Sequence, residues 1–362
     1  MADFSEEIEK IEKEIRETPY HKGTEHHIGK LRARLARLKD RQLEEFTKSK
    51  GGGGGGGYAI KKQGDATVVL VGPPSSGKST LLNLLTNAES KVAPYAFTTV
   101  SVIPGMLKYN DAYIQILDIP GLIEGASKGK GRGKEVISVI RGSDLLLLMT
   151  DTQRIGLIDT LKEELHEAGI RINETIPNIS ISKKTQGGIQ IQTNIKQQIG
   201  KLTIKEMAME FGIRNADIVI KERLTFDRLI DAFSPNRLFV PALVVVNKID
   251  LQSPSSYKSS NPEKPIFISA EKAIGIEELK EAIWKSLKLV RLFLVRPDEE
   301  PSFNHSIIMK EEESLGDVAQ KIGEEFAEGK KLAKIWGPMA HFPGQEVPLS
   351  TQVVEGLQVR FI

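Results

Sequence analysis

The sequence predicts an α/β protein built on a doubly wound, mainly parallel β-sheet, and three observations lead there. Short apolar runs alternate with segments of helical periodicity: ATVVLVG from Ala66, AYIQILDIP from Ala112, SDLLLLMTD from Ser143 and PALVVVNKID from Pro241. A parallel sheet needs that alternation, because crossover helices must cover its faces. The first run leads through a loop of small residues straight into a helix-like segment. Asp118 and Asn247 lie farther apart than the roughly 60 residues that two βα units need, so a further unit is expected between them.

Taken in order, residues 1–50 predict a helical hairpin. Ile8, Ile11 and Ile15 repeat at helical spacing, as do Ile28, Leu31, Leu35 and Leu38, while Pro19 and Gly23 break the pattern between them. The second helix carries Lys30, Arg32, Arg34, Arg37, Lys39 and Arg41. These suit either a solvated face or a contact with RNA or the ribosome. Residues 51–64 read as a linker, because the seven glycines at 51–57 lose too much backbone entropy to hold a helix or strand. The α/β domain is expected over 65–169 and 225–290.

Residues 170–224 are expected to form an inserted α+β subdomain. Apolar and polar residues alternate on both sides of Gly187 and Gly188, which predicts a β-hairpin there. The helix-like IKEMAMEFGI and the strand-like ADIVIKE follow. Residues 291–362 predict a compact mixed β-sheet with one helix. Ser314 and Asp317 form its capping box, Leu315, Val318, Ile322 and Phe326 share its inner face, and Gly329 is expected to close it.

Composition excludes several chemistries. The chain has 362 residues, a formal net charge of +2 and no cysteine. Disulfides, thiolate nucleophiles and Cys-ligated zinc are therefore ruled out, and a nucleic-acid partner cannot be argued from the total charge. Apolar runs such as the one through Phe239 to Val246 fall far short of the roughly 20 residues a bilayer span needs. The opening MADFSEEIEKIEK is acidic, without the apolar core of a signal peptide. A cytoplasmic protein with no membrane partner is expected. The six histidines show no pairing suggestive of a metal site.

Four motifs in order carry the chemistry. GPPSSGKS comprises Gly72, Pro73, Pro74, Ser75, Ser76, Gly77, Lys78 and Ser79, and Thr80 follows. It matches the phosphate loop G-x-x-x-x-G-K-[ST], in which backbone N–H groups at a helix N-terminus cradle an anion. Lys78 is expected to reach the β- and γ-phosphates and act in catalysis, and Ser79 to ligate Mg²⁺. DIPG supplies Asp118, expected to hold Mg²⁺ through water, and Gly121, whose N–H would sense the γ-phosphate. NKID supplies Asn247, Lys248 and Asp250. The Asp250 carboxylate can accept from N1–H and the 2-amino group of guanine; adenine offers neither, which disfavours an ATPase. FISAEK places Ser269, Ala270 and Glu271 near the base, with a backbone N–H for guanine O6. Each tetrapeptide alone is weak, but four motifs in order, each after a strand, predict a P-loop GTPase domain binding GTP and GDP.

YAFTTV, DIPGLIEGASKGKGRG, NKID and the glycine run before the domain resemble the Obg-related GTPases. Among these the chain most resembles the developmentally regulated GTP-binding protein (DRG) family, over nearly its whole length. The resemblance implies a Mg²⁺-dependent GTPase associated with translation, meeting ribosomes or RNA and often working with a stabilising partner protein. It implies that the insertion is like ribosomal protein S5 domain 2 and that the C-terminal unit is a TGS domain of β-grasp type. It makes Thr99 the second hydroxyl ligand of Mg²⁺ and a catalytic residue, with Thr98 as the fallback.

Leu122 stands where Ras-like enzymes carry the glutamine that positions water, so intrinsic hydrolysis is expected to be slow. Some relatives use K⁺ held by a phosphate-loop asparagine. Ser75 occupies that place here, and its hydroxyl specifies K⁺ more weakly. The glycine-rich loop after Leu122 carries Lys128, Lys130, Arg132 and Lys134, suited to RNA phosphates, to the nucleotide or to solvent alone. Beside the enzymatic switch stands a second possibility, a GTP-gated RNA- or ribosome-binding scaffold in which hydrolysis only resets binding.

Overall fold

The computed structural model describes residues 4–49, 63–86, 93–94, 101–119, 139–251 and 264–362. The glycine run at 51–57 lies outside them. Along the chain come α1 (Phe4–Glu17), α2 (Glu25–Ser49), β1 (Ala66–Val71), α3 (Lys78–Thr86), β2 (Ala93–Pro94), β3 (Ser101–Tyr109), β4 (Ala112–Asp118) and β5 (Leu145–Asp151). Next are α4 (Leu157–Glu167), β6 (Ile170–Ile172), β7 (Ile179–Lys183), β8 (Ile189–Thr193), α5 (Lys201–Glu210), β9 (Ala216–Ile220), α6 (Phe226–Phe233) and β10 (Leu238–Val240). The rest are β11 (Ala242–Asn247), β12 (Ile266–Phe267), α7 (Ile276–Ser286), β13 (Leu289–Leu294), β14 (Ser306–Lys310), α8 (Leu315–Ile322), α9 (Glu324–Glu328), β15 (Leu332–Trp336), β16 (Gln345–Pro348) and β17 (Gln358–Phe361). They form two compact units: Met1–Tyr58 with Leu165–Phe239, and Ala59–Glu164 with Val240–Ile362.

The second unit holds the expected doubly wound sheet, in the order β12-β11-β5-β1-β4-β3-β2. β1 pairs in parallel with both β4 and β5, and β11 in parallel with β5 and β12. β3 and β2 add an antiparallel edge. All residues of β1 and β5 are buried, as a sheet covered on both faces requires. Leu81, Leu82 and Leu85 of α3 and Leu279 and Ile283 of α7 pack into the same core. Register aligns Asp118 with Leu70 and Asn247 with Asp151, so these strand ends share one edge of the sheet. Strand order reverses at β1, and in open α/β sheets that crevice is where ligands bind.

The C-terminal part of this unit is a five-stranded mixed sheet, β14-β13-β17-β15-β16, packed against α8. The Ser314–Asp317 capping box is formed as anticipated. The helix expected to run to Gly329 instead ends at Ile322, because Gly323 adopts an extended backbone (φ 163°, ψ 146°) before α9 begins. Ile322 and Phe326 are consequently left partly exposed.

In the first unit the two N-terminal helices share an apolar seam of Ile11, Leu31 and Leu38. They do not stand apart from the insertion: Ala33 and Ala36 of α2 enter one core with α5, α6 and β9. Gly29 permits the close approach, since a Cβ there would lie 2.7 Å from Thr203 Cγ2. Buried Glu25 accepts from Gly200 N–H at 2.7 Å and Thr203 Oγ1 at 3.2 Å, capping α5 from another helix. The unit begins before 170 and ends after 224 because α6 belongs to this core and Arg171 is buried against Asp231, with two contacts of 2.7 Å.

The hairpin expected around Gly187 and Gly188 is not formed. The order is β7-β9-β8, with β9 antiparallel to β7 and parallel to β8. Asn215, at the entry to β9, wedges the connection open. Its O accepts from Lys184 N–H at 2.9 Å, its Oδ1 from Gly188 N–H at 2.8 Å, and its Nδ2 donates to Thr185 O. Most cations of α2 are engaged within the unit: Arg34 with Glu7, Lys39 with Glu12, Arg37 with Glu210 O, and Arg32 over the Phe226 ring.

Candidate nucleotide-binding site

The site lies at the strand ends where β1 turns through residues 72–77 into α3. Two glycines are sterically obligatory. A Cβ on Gly72 would fall 2.0 Å from Met149 O, and Gly77 (φ +92°) would place one 2.2 Å from Asn247 Nδ2. Between them Ser75 holds φ +60°, a left-handed conformation unusual for an L-residue. Pro73 and Ser76 are buried, whereas Pro74, Ser75, Ser79 and Thr80 are exposed.

Lys78 is buried, and its Nζ donates to Gly72 O at 3.1 Å and Pro73 O at 2.9 Å. Burial holds its ammonium below the ordinary lysine value, Asp118 partly offsets this and Arg154 adds to it. An anionic oxygen could replace those carbonyls and compensate the buried charge. Ser79 Oγ donates to Asp118 Oδ2 at 2.6 Å. Asp118 Oδ1 and Ser76 Oγ are buried without a protein partner. Two hard oxygen donors side by side, one carboxylate oxygen still free, fit a Mg²⁺ ion that keeps several waters.

Residues of the NKID segment lock onto the loop at 72–77. Asn247 Nδ2 donates to Ser76 O at 2.9 Å and its Oδ1 accepts from Ala270 N–H at 2.9 Å. Lys248 (φ +65°) donates from Nζ to Ser75 O at 2.7 Å. Asp250 is half-buried; a hydrogen bond from Ser269 holds its carboxyl below the usual aspartate range, against some burial. Ser269 is fully buried, its Oγ accepting Lys272 N–H at 3.1 Å, and Glu271 is exposed. Thr98, Thr99, Gly121 and Leu122 lie outside the described residues, as do Lys128, Lys130, Arg132 and Lys134.

Two residues here carry no motif and were not anticipated. Asp151 ends β5, and Arg154 follows in the next turn, its Nη1 donating to Pro74 O at 3.0 Å. The available signal was an acid closing a buried strand with an arginine three positions on.

A doubly wound sheet, a glycine-gated loop opening a helix, and an Asn-Lys-x-Asp turn locked to that loop define a P-loop GTPase domain. A family described as "50S ribosome-binding GTPase" matches residues 67–184, and one described as the C-terminal region of that domain matches 186–289. An uncharacterised GTP-binding protein of Methanocaldococcus jannaschii is 43% identical over 98% of this chain and 91% of its own length. Developmentally-regulated GTP-binding protein 2 of Homo sapiens is 37% identical, covering 95% of each chain. GTP-binding protein 1 of Schizosaccharomyces pombe is 38% identical over 97% of each. The chain belongs to the developmentally regulated GTP-binding protein family. No helix among the described residues is long and apolar enough to cross a membrane.

Proposed function

We propose that the protein is a Mg²⁺-dependent, GTP-hydrolysing switch that works on ribosomes. The observation that carries this reading is the pairing of Ser79 with Asp118 beside buried Lys78, at the mouth of a loop tied to Asn247 and Lys248. Gly72, Pro73, Pro74, Ser75, Ser76, Gly77, Lys78, Ser79 and Thr80 surround the phosphates, with Lys78 neutralising charge as it develops. Gly121 senses the γ-phosphate. Asn247, Lys248, Asp250, Ser269, Ala270 and Glu271 form the guanine side. Ser79, Thr99 and Asp118 would hold Mg²⁺, which would offset the negative charge of the phosphates.

The ribosome as partner is supported by the matching family's description as 50S ribosome-binding. A stabilising partner protein, K⁺ near Ser75 and a cytoplasmic site of action belong to the same reading. So do an S5 domain 2-like insertion and a TGS domain of β-grasp type at 291–362; a helix packed on one face of a five-stranded mixed sheet supports the latter. Single-turnover GTP hydrolysis with and without 50S subunits tests the proposal. Strong stimulation supports an enzymatic switch. Nucleotide-dependent ribosome binding without stimulation favours a scaffold reset by hydrolysis.

A further inference from the structure

We infer that Arg154, seated on Asp151, is a positioning residue for guanine nucleotides: it holds the phosphate loop by Pro74 O and so sets how long the nucleotide stays bound. This rests on the nucleotide site proposed above. Three consecutive loop carbonyls are each gripped from another strand end. Arg154 Nη1 holds Pro74 O at 3.0 Å, Lys248 Nζ holds Ser75 O at 2.7 Å, and Asn247 Nδ2 holds Ser76 O at 2.9 Å. A phosphate loop works by turning its N–H groups toward the anion. A carbonyl rotated inward would instead repel phosphate, so outward restraint of successive carbonyls keeps the loop ready for its ligand. Ser75, in the middle, holds a left-handed conformation that an L-residue keeps only under restraint.

Asn247 and Lys248 belong to the base-recognition motif; Arg154 comes from β5's exit turn and adds an independent anchor. Its seat is built. The Asp151 carboxylate, 5% exposed, accepts Arg154 Nε at 3.1 Å and Nη2 at 2.6 Å, plus the N–H groups of Gln153 and Arg154. It also lies 3.8 Å from Lys248 Nζ, so one carboxylate orients two of the three struts. Burial alone would raise the Asp151 carboxyl, but Arg154, Lys248 and the Gln153 N–H hold it below the usual value, keeping the seat charged. The planar guanidinium serves Asp151 and Pro74 O together, which a lysine cannot reproduce.

The test is GDP affinity and dissociation of a fluorescent GDP analogue, on the full chain, for wild type, Arg154→Gln, Arg154→Lys, Asp151→Asn and the Arg154→Gln/Asp151→Asn double variant. Loss of one charge-assisted strut is expected to raise the GDP Kd about tenfold, mostly through faster dissociation. GTP and GDP should be affected alike, and Arg154→Lys should be intermediate. The double variant should be no weaker than the worse single one, because the two residues act as one unit. Thermal melts identify any variant that fails to fold, and Arg154→Lys then carries the comparison. Folded variants with wild-type Kd and dissociation rate, or with additive losses, overturn the inference alone. A wild type that binds no GDP overturns the nucleotide assignment first, and the inference with it.

Discussion

Ser79 Oγ donates to Asp118 Oδ2 at 2.6 Å, joining the first turn of α3 to the last residue of β4. Neither residue needs the other to complete its own element, and the convergence of two hard oxygens supports the proposed Mg²⁺ site. Ser79→Ala and Asp118→Asn are each expected to slow Mg²⁺-dependent hydrolysis at least about tenfold and to shift its Mg²⁺ requirement upward. Phosphate release across a Mg²⁺ titration measures both effects. Thr99→Ala should slow hydrolysis while sparing GDP affinity; the same behaviour from Thr98→Ala instead would move the ligand by one position.

Lys78 gives the nucleotide-free protein a pH signature. Its folded value lies below 10.5, chiefly because it is buried. Between the folded value and 10.5 the unfolded chain binds more protons, so stability rises with pH through that window. Lys78→Met should remove this slope and abolish GTP binding. Denaturant titrations at a series of alkaline pH values, without nucleotide, check the sign.

Glu25 makes the first unit sensitive to acid. Burial pushes its carboxyl up, but Lys22, the Gly200 N–H and Thr203 more than reverse this and hold it below the usual 4.5. The stabilisation is therefore present above 4.5 and lost as pH falls through the lowered folded value. Glu25→Ala should destabilise this unit by about 1–3 kcal/mol, because it orphans buried donors. Limited proteolysis and denaturation report the loss, and GTP affinity should be unaffected.

Much of the second unit was legible because its information is local. β1, β4, β5 and β11 are apolar runs, and the motifs sit at their ends, where Asn247 does meet Ser76 and Ala270. The first unit was less so. Alternation around Gly187 and Gly188 marks two strands but cannot encode that β9, entering through Asn215, lies between them. The docking of α2 on the insertion depends on Gly29 and Glu25 meeting Thr203 and Gly200, partners far along the chain that no helical period reveals. Gly323 broke a helix whose apolar spacing continued past it. Arg154 escaped notice because its partners are a carboxylate and a backbone carbonyl, and neither leaves a motif.

The apolar Leu122 cannot aim a water. Wild-type turnover in Na⁺ without partners is expected at about 10⁻⁴ to 10⁻² s⁻¹, as for unassisted GTPases. K⁺ or ribosomes should accelerate it, and Leu122→Gln alone should gain little, because a glutamine needs a surrounding loop shaped to direct it. Phosphate release by both proteins in each condition measures this. Fast turnover of the wild type in Na⁺ alone would show that water is already positioned by another group.

The proposed recognition of guanine by Asp250 is the central requirement, and calorimetric titration of wild type and Asp250→Asn with GTP, ATP and xanthosine triphosphate tests it most directly. Wild type should bind GTP and reject ATP, since adenine cannot satisfy the Asp250 carboxylate. Asp250→Asn should lose GTP affinity and gain affinity for xanthosine triphosphate, because its amide can donate to the 2-oxo group. Equal binding of GTP and ATP by wild type, or unchanged GTP affinity in Asp250→Asn, would contradict the assignment of this site to guanine nucleotides.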